Sequence, residues 1–220
     1  MGSEKNFIQQ LHTSTKRNFI ERMMNEKVKC MNEARKFDYS FWDGERKFGY
    51  GGYKYIHDRW KPFAQNLIDT YSLDENSKVL DVGCGKGYIL YELKKLIPKI
   101  TISGFDISAY AINNSHEEVK NRLFVHDAGE NFPFKDNEFD LAFSLATLHN
   151  LKIKNLYNSL NEINRVSNKS YLMVESYRNN EELFNLQCWA LTAESFFDKD
   201  EWMWIFEQSG YFGDFEFIYF

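Results

Sequence analysis

The sequence is short of cysteine, proline and long apolar runs, and each shortage excludes something. Its three cysteines, Cys30, Cys84 and Cys188, are odd in number and far apart. That argues against a disulfide framework, offers no metal-ligand spacing and fits a reducing compartment. No apolar run approaches the ~20 residues of a membrane-spanning helix, and no signal-type segment opens the chain. Met1-Gly2-Ser3 is a poor myristoylation site, because Asn6 stands where Ser or Thr is required. The expectation is a cytoplasmic protein with no metal and no membrane partner. A surplus of positive charge is missing too: the net charge of −5 is not the balance of a nucleic-acid-binding protein. The deficit is uneven, since residues 1–61 hold 13 Lys and Arg against 8 Asp and Glu. Such a basic N-terminal part suits a small anionic substrate.

Other quantities are ordinary. With 220 residues, 43% apolar and 27% charged, the chain suits one globular domain with a sizeable core, plus an extension. Aromatics reach 17% alongside abundant Asn, Lys and Ile. An AT-rich genome produces that bias without a functional reason.

Three glycines on alternate positions organise the chain: Lys78-Val79-Leu80-Asp81-Val82-Gly83-Cys84-Gly85-Lys86-Gly87-Tyr88-Ile89-Leu90. The stretch begins as a buried parallel strand and ends as an amphipathic helix. A tight strand-to-helix turn needs positive φ or a missing Cβ, and it lets a ligand lie against bare backbone at the helix start. The dinucleotide fingerprint G-x-G-x-x-G would put its third glycine at Tyr88, so the pattern here is G-x-G-x-G. Asp81-Val82-Gly83-Cys84-Gly85-Lys86-Gly87 resembles motif I of the class I S-adenosylmethionine (SAM) methyltransferases. The plain alternative is a glycine turn that holds no ligand.

The rest of the chain alternates in the manner of a parallel α/β sheet. Residues 5–37 read as one long helix, or two broken near Thr13-Ser14-Thr15. Residues 41–61 have no period and interleave four glycines with aromatics and cations, which reads as a lid over the active site or as a packed surface loop. A helix is expected from about Trp60 to Tyr71. Strands are expected at Ile100–Phe105, Arg122–Val125, Phe139–Leu145 and Ser170–Glu175. Asp198-Lys199-Asp200-Glu201 reads as a capping box that starts a helix. A last strand spans Phe215–Phe220.

The motifs fall at the carboxyl ends of these strands, where such sheets bind ligands. Asp106 is placed to accept hydrogen bonds from ribose hydroxyls, or else to cap the helix after it, a role for which Ser108 competes. In the resembling family the residues matching Asp127 and Ala128 contact the adenine. Asn131-Phe132-Pro133-Phe134 is similar to the linker before strand four, and Leu148-His149-Asn150 to the region beside the transferred methyl. The resemblance covers about residues 60–210. It implies a Rossmann-like, mostly parallel sheet of seven strands ending in an antiparallel pair. Only one such strand is visible, so either Trp189–Thr192 supplies the other or the sheet has six. It also implies SAM as cofactor, with S-adenosylhomocysteine as product, bound by Asp81, Gly83, Gly85, Gly87, Asp106, Ile107, Asp127, Ala128 and Leu145. The organisation expected is a helical extension over 1–40, a lid over 41–61 and a SAM-binding domain over 62–220.

Methyl transfer to an oxygen needs alignment and the management of one proton. His149 is the first candidate base, with substrate orientation or loop packing as its alternative role. Glu175 and Tyr177 come second and His57 third. Arg46, Lys54 and Arg59, with Tyr50, Tyr53 and Asn150, suit an anionic acceptor such as a phosphate or carboxylate. The lid phrase is similar to small methyltransferases of bacterial surface-polysaccharide genes, some associated with O-methyl phosphoramidate decoration of capsules. That resemblance implies a phosphorylated or nucleotide-linked acceptor. The expected partner is thus a small anionic molecule, not nucleic acid, and the protein a monomer or homodimer. Competing readings are an NAD(P)-dependent oxidoreductase and a non-catalytic SAM-binding protein.

Overall fold

Val79, Leu80 and Val82 are fully buried on alternating faces, which places their strand in the middle of a sheet covered on both sides. The computed structural model describes residues 2–220. Its strands are β1 (Lys78–Val82), β2 (Thr101–Asp106), β3 (Leu123–Val125), β4 (Leu141–Leu145), β5 (Ser170–Glu175) and β6 (Asp214–Ile218). They form one six-stranded sheet in the order β3-β2-β1-β4-β5-β6, and every neighbouring pair is parallel. The strand order reverses between β1 and β4, so the ligand crevice of this architecture opens there.

The helices are α1 (Gln9–Thr13), α2 (Phe19–Met24), α3 (Lys27–Ala34), α4 (Tyr39–Trp42), α5 (Lys61–Tyr71), α6 (Tyr88–Leu96), α7 (Ala109–Asn113), α8 (Ile153–Val166), α9 (Asn180–Trp189) and α10 (Lys199–Gln208). On one face, Phe63 and Leu67 of α5 and Leu90 and Leu93 of α6 pack against Val79, Phe143 and Tyr171. On the other, Leu156, Leu160 and Ile163 of α8 and Trp202 and Phe206 of α10 cover Leu80, Ala142 and Leu172. The predicted capping box is present: Asp198 accepts from the Glu201 amide at 2.9 Å, and Glu201 accepts from the Asp198 amide at 3.1 Å.

The ends of the chain depart from expectation. Among the described residues no antiparallel pair closes the sheet. β6 lies beside β5 and parallel to it, because α9 and α10 carry the chain back before it re-enters. Trp189 ends α9 and is not part of a strand. Residues 5–37 form three helical pieces: the break expected near Thr13-Ser14-Thr15 is present where α1 ends, and a second falls before α3. Asn18 accepts from the Glu21 amide and starts α2, and Glu26, at φ 47°, bends the chain before α3. Asp43–Trp60 carries neither helix nor strand.

What brings these N-terminal pieces onto the sheet is a buried acid. Glu216 on β6 is 2% exposed. Its carboxylate accepts from the backbone N–H of Phe7 (2.7 Å), Ile8 (2.9 Å) and Gln9 (3.1 Å), the unpaired amides at the start of α1. It also accepts from the Tyr171 hydroxyl at 2.7 Å. Beside it, Glu4 bridges Phe215 on the outer edge of β6, which covers that edge. His12 then donates from Nε2 to the Tyr219 carbonyl (2.8 Å), while its Nδ1 faces an Arg17 nitrogen at 3.1 Å. Burial first, then the Arg17 charge, pulls the His12 pKa down to about 4.

Two outcomes follow from this docking. Glu216→Gln turns an amide NH₂ toward backbone donors and should cost about 2–3 kcal/mol in urea unfolding, with earlier proteolysis of the first 20 or so residues. An unchanged midpoint would show that the clamp contributes little. His12 takes up its proton more readily when unfolded. Its contribution is complete above pH 6.5 and is lost as pH falls toward about 4. The loss is on the order of 2–3 kcal/mol. His12→Gln should flatten that part of the stability–pH curve, and a curve of unchanged slope would contradict the assignment.

Candidate active site

The glycine turn takes the backbone the sequence demands. Gly83 and Gly85 lie at φ 82° and 54°. A Cβ on Gly83 would stand 2.0 Å from Thr147 Oγ1, and one on Gly85 would stand 2.8 Å from the Trp42 ring. Both positions are therefore closed to a side chain by conformation and by space. Gly87 does not face the crevice; it seats α6 against Leu123 and Val119. Asp106 clamps the turn: one carboxylate oxygen accepts from the Gly85 amide and the other from the Ser108 amide, each at 2.8 Å. The cap of α7 is Ser108, whose hydroxyl accepts from the Ala111 amide. Ser108 thus takes the capping role that competed with ribose binding, and Asp106 keeps lone pairs to spare.

A cavity of about 480 Å³ opens from this turn. Of the expected cofactor residues, Asp81, Gly83, Gly85 and Leu145 line it. Asp106, Ile107, Asp127 and Ala128 lie outside it, at the ends of β2 and β3, where Ile107 is 50% exposed. Asp127 closes its own turn by accepting from the Gly129 amide. The glycine turn is thus the seam between a deep cavity and a shallower face. Asp81 is 2% exposed and accepts no hydrogen bond from any described residue. Burial, then the Asp106 charge, pushes its pKa well above the carboxylate range.

The aromatic loop over 41–61 packs against the glycine turn. Trp42 donates to Ser108 Oγ (2.8 Å) and stacks on Tyr50 with ring centroids 5.3 Å apart, and Tyr53 stacks on Tyr88 at 5.2 Å. Lys86, the residue between the second and third glycines, reaches up to hold the lid. Its ammonium is 2.7 Å from Asp43 and donates to the Tyr53 carbonyl at 2.9 Å. Sequence reasoning missed this pair; the available signal was a lysine inside a motif that must be buried. Arg46, Tyr50, Tyr53, Lys54 and Arg59 all line the cavity, as does Asn150, whose Oδ1 is buried without a partner. Burial pushes the Tyr53 pKa well above its usual value, so it is a neutral donor.

Of the candidate bases, His149 and Glu175 come together and His57 does not. His57 is exposed, pairs with Asp58 at 3.0 Å and lies outside the cavity. His149 is 3% exposed, with Nε2 at 3.5 Å from Glu175 Oε2. Its Nδ1 accepts from the Glu175 amide at 3.3 Å, which leaves the proton of the neutral ring on Nε2, facing the carboxylate. Burial lowers the His149 pKa, and Glu175 opposes that. Before the site, Ala146 sits at φ 56°, a strained turn for a residue with a Cβ that ends β4 abruptly beside Gly83.

A family model described as a methyltransferase domain matches residues 73–210. The chain belongs to the class I SAM-dependent methyltransferase family. It is 35% identical over 102 residues to a tRNA U34 carboxymethyltransferase of Nautilia profundicola, covering 43% of this chain and 33% of that protein. It is 32% identical over 111 residues to a malonyl-[acyl-carrier protein] O-methyltransferase of Bacillus anthracis, covering 46% and 41%. The chain thus spans about a third to two fifths of the length of these relatives. Among solved structures, a SAM-dependent methyltransferase from Aquifex aeolicus superimposes with a TM-score of 0.51 at 22% identity, over 70% of this chain and 83% of that one, a likeness of fold. SAM is the cofactor. The residues present fit it: an unpartnered buried acid, Asp81, borders bare glycine backbone, and SAM carries an ammonium. Membership in the family also sets the oxidoreductase reading aside, in agreement with Tyr88, whose bulk stands where the dinucleotide turn needs its third glycine. Among the described residues no group of three metal-binding side chains converges and no helix is long and apolar enough to cross a membrane.

An isolated buried carboxylate destabilises the free protein and serves a cationic ligand. Asp81→Asn should therefore raise the melting temperature of the ligand-free protein and weaken S-adenosylhomocysteine by about tenfold or more in calorimetry. Unchanged affinity would remove Asp81 from the cofactor site.

Proposed function

We propose that the protein methylates an oxygen of a small anionic metabolite, with Glu175 as the base. The observation that carries the reading is the continuity of one cavity from the glycine turn and Asp81 to Glu175, walled by the cations of the lid. Its volume suits a small molecule. Bound SAM supplies a sulfonium methyl open to in-line attack. Asp81 would hold its ammonium, Asp106 its ribose hydroxyls and Asp127 with Ala128 its adenine, while Leu145 borders the reacting end. Arg46, Lys54 and Arg59 would draw in the acceptor, and Tyr50, Tyr53 and Asn150 would orient it. Glu175 would take the hydroxyl proton as the new C–O bond forms and the sulfur–methyl bond breaks, its electron pair leaving with S-adenosylhomocysteine. His149 is a positioning residue in this scheme: its available proton points at Glu175, and its lone pair is already used by a backbone amide.

The aromatic lid closes the site to water, which strengthens each of these electrostatic contacts. A role in capsule or surface-polysaccharide assembly, with a phosphorylated or nucleotide-linked acceptor, rests on the resemblance of the lid phrase. A tritiated-methyl assay against separated cell fractions tests the acceptor class. Label should appear in anionic small molecules; label in tRNA or in protein would contradict the reading, and no label anywhere would favour a non-catalytic SAM-binding protein.

The division of labour between the pair is also measurable. Glu175→Gln should lower kcat by ~10²–10⁴ with cofactor affinity intact. His149→Gln, which keeps a donor near Glu175, should cost about tenfold to a hundredfold. The reverse order would give the proton to His149.

A further inference from the structure

Three arginines converge at the end of the cavity nearest α2 and α9. The guanidinium carbons of Arg17, Arg22 and Arg46 stand 5.4, 5.0 and 5.3 Å from the centroid of one ring, Trp189. All four residues line the cavity. Among the described residues no carboxylate lies within ion-pairing distance of any of the three arginines. Each is tethered to carbonyls by part of its fork: Arg17 to His12 and Thr15, Arg22 to Arg46, Lys47 and Trp189, Arg46 to Gly49. The carbonyl end of α9 helps to gather them, since Lys27 also donates to the carbonyls of Cys188 and Ala190. Arg17 Nε is buried with no partner, and Arg22 Nη2 and Arg46 Nε and Nη2 meet no acceptor among the described residues.

Three cations gathered on one ring repel one another, with Arg17 and Arg22 half-buried and Arg46 more exposed, and burial, then the Arg46 charge, lowers the pKa of Arg22 to about 10. Arg17 Nη2 also meets His12 Nδ1 and Arg22 Nε the Trp189 carbonyl, so the tethers leave open Arg17 Nε, Arg22 Nη2 and the Nε–Nη2 edge of Arg46. A carboxylate, with two oxygens and one charge, fills one fork. The open donors of three forks match a group with three terminal oxygens and two charges. Resting on the methyltransferase reading above, we propose that Arg17, Arg22 and Arg46, ringed on Trp189, form a binding site for a phosphoryl dianion of the acceptor. The acceptor is then a phosphorylated metabolite held by its phosphate at this end, with its hydroxyl presented to Glu175.

The test is calorimetric titration of the S-adenosylhomocysteine-saturated protein with inorganic phosphate, and with acetate as the singly charged control. Saturable phosphate binding is expected, weakened about tenfold or more in Arg17→Gln and in Arg46→Gln, with S-adenosylhomocysteine affinity unchanged. If either variant fails to fold, Arg17→Lys or Arg46→Lys replaces it and should weaken phosphate in the same direction by removing the fork. Equal binding of acetate, phosphate affinity unchanged in the variants, or no phosphate binding by the cofactor-loaded protein would overturn the site. A parallel loss of S-adenosylhomocysteine affinity would also overturn it, by giving the arginines to the cofactor carboxylate. Failure of folded wild-type protein to bind S-adenosylhomocysteine at all would instead strike the methyltransferase reading.

Discussion

The carboxylate of Glu216 decides what the site is made of. A parallel sheet offers the carboxyl ends of its strands and little else, and the glycine turn alone would lie open to water. By collecting the first amides of α1 against β6, Glu216 fixes the N-terminal segment across the mouth of the crevice. His12 and Arg17 follow within one turn or two, and α2 then meets α9. The net positive charge of residues 1–61 is thereby folded over the acidic ends of β1, β2 and β5. A charge imbalance along the sequence becomes a cation-walled cavity in space.

The second constraint is the cost of the turn itself. Gly83 and Gly85 give up side chains so that backbone can be approached, and Asp81 and Asp106 lie buried near each other behind them. Neither arrangement is the most stable one for an empty protein. Lys86 offsets part of the strain by tying the turn to Asp43 of the lid, which makes the order of the lid depend on the order of the loop.

The fold was legible in the sequence wherever burial was total. The runs at Val79–Val82, Leu141–Leu145 and Tyr171–Val174 are apolar apart from Asp81 and Ser144, so they read as strands of a buried parallel sheet, and Asp106 fell where the topology puts it. The errors lie where tertiary contacts outvote local pattern. Over 5–37 the break expected near Thr13-Ser14-Thr15 is present, but Glu26 adds a second one before α3, and the Glu216 clamp lies about 200 residues away in sequence. The closing strand is parallel because α9 and α10 return the chain, which no local period reveals. In the site, His149 and Glu175 were visible as separate candidates from their positions after β4 and β5, and the cations of 41–61 from the composition of their loop. Arg17, Arg22 and Trp189 were not: each reads as an ordinary helix or loop residue until the N-terminal segment is folded against α9.

The account stands most directly on a crystal structure of the S-adenosylhomocysteine complex. It predicts the ammonium at Asp81, the ribose hydroxyls at Asp106, and the sulfur facing the part of the cavity that holds Glu175. A ligand seated among the arginines at Trp189, or one that leaves Asp81 without a partner, would contradict it.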